Sequence, residues 1–208
     1  MPENNPAQPL SRREREREQR RQAILDAAEQ VFAAHGYQNA NMAVIAEQAE
    51  FSVGSLYHLF ASKEGLFAEV ALRNLENSMQ AIRAHLNQAD GWQAQLEGFV
   101  RHYLSWGCGY MLDILRTFKE VFNPQDHLSD GIFTRFLTIR QEAQALLVGI
   151  LSQAEQPAAA PDFLALVIMG TLNSLCNQAS LGLLSQPPES YLPQILALAE
   201  SGRFKPDV

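Results

Sequence analysis

Twenty-six consecutive residues, Phe163 to Pro188, carry no charged side chain. A stretch that long has two physical homes: the core of a bilayer, or a surface covered by other protein. The amides of Asn173, Asn177, Gln178 and Gln186 and the hydroxyls of Ser174, Ser180 and Ser185 choose between them. Uncompensated amides in mid-span are costly in lipid. The segment is therefore expected as a helix buried in a bundle or a subunit interface, and not as a membrane span.

The remainder of the chain has the same helical period. Ile24, Leu25, Ala28, Val31 and Phe32 fall on one face of an amphipathic helix, and Gly36 stands where its C-terminal cap belongs. Asn41 is placed to cap a short helix carrying Met42, Ile45, Ala46 and Ala49. Ser52 caps another, Val53 to Phe60, and Ser62 a third, running from near Lys63 to about Leu86 with Glu64 in its first turn. Further helices are expected over Trp92–Cys108, Tyr110–Phe122, Gly131–Glu155, Phe163–Ser185 and Tyr191–Ala199, with a linker loop at 156–161. No stretch alternates with period two, so no sheet is expected. A length of 208 residues gives one or two domains.

Sixteen basic against 23 acidic side chains give a formal net charge of −7, which excludes coating of nucleic acid by bulk positive charge. Reading DNA through a local patch stays open. The one basic run is residues 11–22, with six arginines against three glutamates. It is either a solvated helix start or a basic arm that touches phosphates, and residues 1–20 are taken as a disordered basic arm. Cys108 and Cys176 form no CxxC pair, and the five histidines do not pair with carboxylates at metal-ligand spacing. No nucleotide-binding or hydrolase motif is present. The chain is expected to be no enzyme, to hold no cofactor and no metal, and, lacking the apolar core of a leader peptide, to reside in the cytoplasm.

Residues 42–60 carry the function. Two short helices meet at a tight turn around Glu50 and Phe51, the spacing of a helix-turn-helix. In the second helix Leu56 and Phe60 share one face, while Gly54, Tyr57 and His58 share the opposite one, with Val53 and Ser55 at its margins. The run AAEQVFAAHGY, then IAEQA, then SVGSLYHLF followed by SKEGLF, resembles the DNA-binding domain of the TetR (tetracycline-repressor-like) family of bacterial transcription regulators over residues 23–67. Three positions depart from the family's habit. Asn41 stands where Thr is usual, Glu50 where the turn usually has Gly, and Val53 where a Lys or polar residue is frequent. A non-glycine residue at positive φ costs local strain, and a carboxylate beside DNA repels phosphates.

The resemblance implies an all-α fold. Residues 21–66 would be a three-helix, helix-turn-helix DNA-binding domain, and residues 67–208 a C-terminal helical bundle for ligand binding and dimerisation. It further implies that Tyr57, His58 and Lys63 bind phosphates, that Asn41 and Ser52 add backbone contacts as caps, and that Val53, Gly54 and Ser55 approach base edges. The plainer alternatives are a half-buried packing role for Tyr57 and simple solvent exposure for His58. By the same analogy a homodimer binds a palindromic operator on double-stranded DNA, and a small, mostly apolar effector releases it. Trp106, Tyr110, Met111, Phe118, Phe122 and Phe136 are the candidate apolar lining, with Asn173 and Asn177 as its polar handle. The alternatives are a DNA-binding regulator controlled by a protein partner with no small-molecule effector, and a small helical enzyme or carrier.

Overall fold

The computed structural model describes residues 11–105, 128–155 and 159–201. The first helix, α1 (Arg12–Asn39), opens on a capping box. Ser11 Oγ accepts from the Glu14 amide, and the Glu14 carboxylate accepts from the Ser11 amide at 2.7 Å. These bonds hold the exposed Glu14 carboxyl below its ordinary pKa. The box corrects the expectation of a disordered arm over residues 1–20: residues 12–20 are the first turns of α1, and residues 1–10 lie outside the described residues. Regular helix breaks at Gly36, where φ is 71°, before a last turn that closes on the Gly36 carbonyl.

Three helices follow at the predicted places. They are α2 (Met42–Gln48), α3 (Val53–Phe60) and α4 (Lys63–Leu86). A helix α5 covers 91–105, followed by α6 (Leu128–Leu151), α7 (Pro161–Ser180), a 3-10 turn (Pro188–Tyr191) and α8 (Leu192–Ser201). There is no strand among the described residues, so the fold is all-α as expected. None of the described helices is long and apolar enough to cross a membrane. Helix α7 stops five residues short of the predicted end, Ser185. Gly182 at φ 66° closes it, with its amide donating to Ala179 and that of Leu183 to Gln178, the paired bonds of a Schellman cap.

The chain divides into two compact units, Met1–Val70 and Ala71–Val208. In the first, Ile24, Leu25, Ala28, Val31, Phe32, Ile45, Leu56, Phe60, Leu66 and Phe67 are buried, and the rings of Phe32, Tyr37 and Phe67 meet edge-on or tilted with centres 4.9–6.2 Å apart. Arg21 pairs with Glu69 at 2.7 Å and lies over the Phe60 ring. In the second unit Leu96, Phe99, Leu147, Ile150, Ile168 and Leu172 centre the core. Arg83–Glu142 and Arg135–Glu76 ion pairs tie α4 to α6.

The α3–α4 corner is the tightest place in the first unit. Ala61 stands at φ 58°, and a methyl group added at Gly65 would lie 2.6 Å from the Phe60 carbonyl oxygen, a backbone atom with no rotamer to yield. Gly65→Ala is expected to lower stability by about 1–3 kcal/mol in urea unfolding. Gly54→Ala, whose nearest obstacle is 3.9 Å away, is expected to leave stability equal or slightly higher.

Candidate nucleic-acid interface

The turn between α2 and α3 is also a Schellman cap. The Glu50 amide donates to Glu47 at 3.1 Å and the Phe51 amide to Ala46 at 2.9 Å. The residue between the caps must take the left-handed conformation, and here it is Glu50, at φ 60°. The sequence departure at this position is therefore a real strain. Two side-chain caps frame the pair of helices. Asn41 Oδ1 accepts from the Ala43 amide at 2.9 Å. Ser52 Oγ accepts from the Ser55 amide and lies 2.8 Å from the Ser55 hydroxyl.

These caps turn one face of α3 outward. Leu56 and Phe60 are buried, whereas Tyr57 is 48% exposed and Val53 37%. Gly54 and His58 are exposed and Ser55 half-buried. Tyr57 thus keeps about half of its surface covered and half open to solvent. Asn41 and Tyr57 border a groove of about 530 Å³ on one flank of α3, and Ser52, Gly54, Ser55 and His58 border a second, of about 580 Å³, on the other. A helix seated in a major groove has a phosphate strand on each side, so a ridge between two grooves suits that occupant.

Lys63 is placed differently from its predicted role. Its ammonium donates to the carbonyls of Tyr37, Gln38 and Ala40 at 3.0–3.3 Å and lies 4.5 Å from the centre of the Tyr37 ring. An ammonium has three donors, and the end of α1 takes them all. Lys63 thus closes the C-terminus of α1 onto the start of α4, and the phosphate role is corrected. Beside it, the Tyr37 hydroxyl donates to Glu64 Oε1 at 2.8 Å, a contact that helical periodicity cannot show. Burial by itself would raise the Glu64 carboxyl. Its own backbone amide, the Tyr37 and Ser62 hydroxyls and the Lys63 charge together hold it below its ordinary value.

The predicted effector lining is not assembled by the described residues. Trp106, Tyr110, Met111, Phe118 and Phe122 lie outside them, as does Cys108. Phe136 is buried in the core of the second unit. Asn173 accepts from the Tyr103 hydroxyl at 2.7 Å, so the copy, water or ligand expected as its partner is a tyrosine of the same chain. Asn177 is exposed on α7. Near Tyr103 a cavity of about 20 Å³, bordered by Leu75, Met79, Ile139 and Met169, has room for about one water. No cluster of three or more potential metal ligands occurs among the described residues.

The sequence profile of bacterial regulatory proteins of the tetR family matches residues 24–70, the helix-turn-helix together with the helices that frame it. Residues 24–70 therefore resemble the N-terminal region of tetR-family regulators. Over 63 residues it is 36% identical to the HTH-type transcriptional regulator UidR of Escherichia coli K12, covering 30% of this chain and 32% of UidR. Over 90 residues it is 36% identical to the HTH-type transcriptional repressor AcnR of Corynebacterium diphtheriae, covering 38% of this chain and 47% of AcnR. The match thus spans from about a third to about half the length of these relatives. The whole fold is shared with the regulator FadR of Bacillus subtilis, solved in complex with stearoyl-CoA, at a TM-score of 0.64 and 19% identity over 88% of this chain and 98% of that one.

Two measurements probe this domain. Glu50→Gly removes a left-handed non-glycine residue and is expected to raise stability by up to about 1 kcal/mol in urea unfolding, since relief of strain exceeds the added chain entropy. The lowered Glu64 carboxyl contributes stability that is complete above its unfolded value, near 4.5, and is lost as the pH falls through the lower folded one. Tyr37→Phe should therefore destabilise the protein more at about pH 6 than at about pH 3.5, as read by urea midpoints at the two pH values.

Proposed function

We propose that the chain is a sequence-specific, DNA-binding transcriptional repressor that acts as a homodimer on a palindromic operator and is released by a small, mostly apolar ligand. The observation that carries this reading is the outward face of α3. Val53, Gly54, Tyr57 and His58 stand clear of a helix whose other face, Leu56 and Phe60, is locked in the core. Short side chains at Gly54 and Ser55 let such a helix seat deeply against base edges, with Val53 suited to a thymine methyl. Tyr57 and His58 at the flanks reach phosphate oxygens, and the exposed caps Asn41 and Ser52 add contacts of the same kind.

Repression is supported by the likeness to AcnR, which is named a repressor. The dimer is supported by the second unit's apolar surface. Leu166, Leu181 and Leu183 are among its most exposed large side chains, and all lie in the uncharged run from Phe163 to Pro188. The apolar ligand is supported by the aromatic and methionine side chains from Trp106 to Phe122, and by the fold shared with FadR, whose structure holds an acyl-CoA.

The test begins with duplexes selected by the full chain from a random-sequence pool. Recovery of an inverted repeat, bound by a species of about twice 23.2 kDa in light scattering, is the expected result. A monomer, or a pool with no enriched sequence, overturns the reading. A panel of fatty acids of graded chain length, run beside the matching acyl-CoAs, then tests release. A binding member is expected to raise the melting temperature, by about 2.7 kcal/mol of stability at a hundredfold excess over Kd, and to weaken the selected duplex in return.

A further inference from the structure

Helix α1 extends twelve residues before Ile24, the point at which the family match begins, and that extension holds all six arginines of the basic run. They are not equivalent. Arg12 is paired with Glu16 at 2.8 Å, and Arg21 with Glu69 at 2.7 Å. Arg13, Arg17 and Arg20 have no ion pair among the described residues. At 100° per residue these three share one stripe with Ile24, which is buried against the core, whereas Arg15 points the opposite way. The stripe forms one wall of the 580 Å³ groove beside α3; Ser52, Ser55 and His58 form the other. Glu16, also on this wall, is neutralised by its pair with Arg12.

We infer that this groove holds a phosphate strand of the DNA and that Arg13, Arg17 and Arg20 are the cations that bind it. The inference rests on the reading of α3 as the base-contacting helix. Its structural support is separate: three exposed guanidiniums without partners, lined up on one groove wall, facing two serine hydroxyls and an imidazole. Helix geometry holds the three like charges on one stripe, where they repel one another until an anion lies between them, and the groove tracks α3 along the flank where a duplex backbone would run. The first unit otherwise offers little positive charge. Up to Val70 its only basic residues are the six arginines and Lys63, and Lys63 is engaged by carbonyls. The arginine groove therefore supplies the cationic part of DNA affinity, in place of the predicted Lys63 contact.

The test measures binding of the full chain to its selected duplex by fluorescence anisotropy, in KCl from about 50 to 300 mM. Each phosphate contact contributes about 0.9 to the slope of log K against log salt concentration. Arg17→Gln is expected to make the slope shallower by about that much, and the triple change of Arg13, Arg17 and Arg20 to Gln by about 2.7. Arg15→Gln, which removes the same charge from the opposite face of the same turn, is expected to leave the slope unchanged. Circular dichroism checks that α1 stays folded in each variant, and Gln keeps helix propensity close to that of Arg. Equal slopes for Arg15→Gln and Arg17→Gln, with the wild type binding its duplex, overturn the arginine groove and leave the α3 reading standing. Failure of the wild type to select or bind any duplex overturns the α3 reading itself.

Discussion

Three peptide carbonyls at the end of α1 converge on one ammonium, that of Lys63, and the position of α3 depends on it. The kink at Gly36 leaves Tyr37, Gln38 and Ala40 with carbonyls that no further helical turn can satisfy. A cation there is favourable to the end of α1 but sits in the first turn of α4, where a positive charge opposes the helix dipole. Glu64, next in sequence and also in the first turn, compensates, and the Tyr37 hydroxyl holds its carboxylate in place. The result is a closed frame in which α1 and α4 are fastened end to start, with α2 and α3 carried between them. Since α3 is only eight residues long, it cannot hold its own orientation by helix propensity. The burial of Leu56 and Phe60 against a frame fixed at both ends does that instead.

Local chemistry was legible in the sequence wherever the partner lies within a few residues. Asn41 and Ser52 cap as their types predict, α3 runs from Val53 to Phe60, and Glu50 takes the left-handed conformation that the family's glycine would occupy. The capping box at Ser11 and Glu14 was equally legible, but composition suggested disorder and hid it. Contacts across long separations were not legible. Nothing in the spacing of Lys63 says that its donors are spent on carbonyls 23 to 26 residues earlier. Nor does Asn173 announce a tyrosine 70 residues away. The end of α7 was missed for another reason: the apolar pattern continues through Leu183 and Leu184, and only the backbone of Gly182 shows that the helix has stopped.

The distribution of charge bears on how such a chain would approach DNA. With a net charge of −7 its far field repels a polyanion, and the repulsion is screened beyond a Debye length of about 8 Å at physiological salt. Attraction therefore begins only when a cationic patch comes within that distance, before the bulk acidity is felt. Arg13, Arg17 and Arg20 lie on the flank of the helix proposed to read bases, so the approach that brings them to a phosphate strand also seats α3 in the groove. A uniformly basic protein gains affinity in almost any orientation and so holds nonspecific DNA tightly. Charge confined to one groove of an acidic chain couples phosphate binding to a single docking pose, and so favours the matched site over the bulk of the duplex.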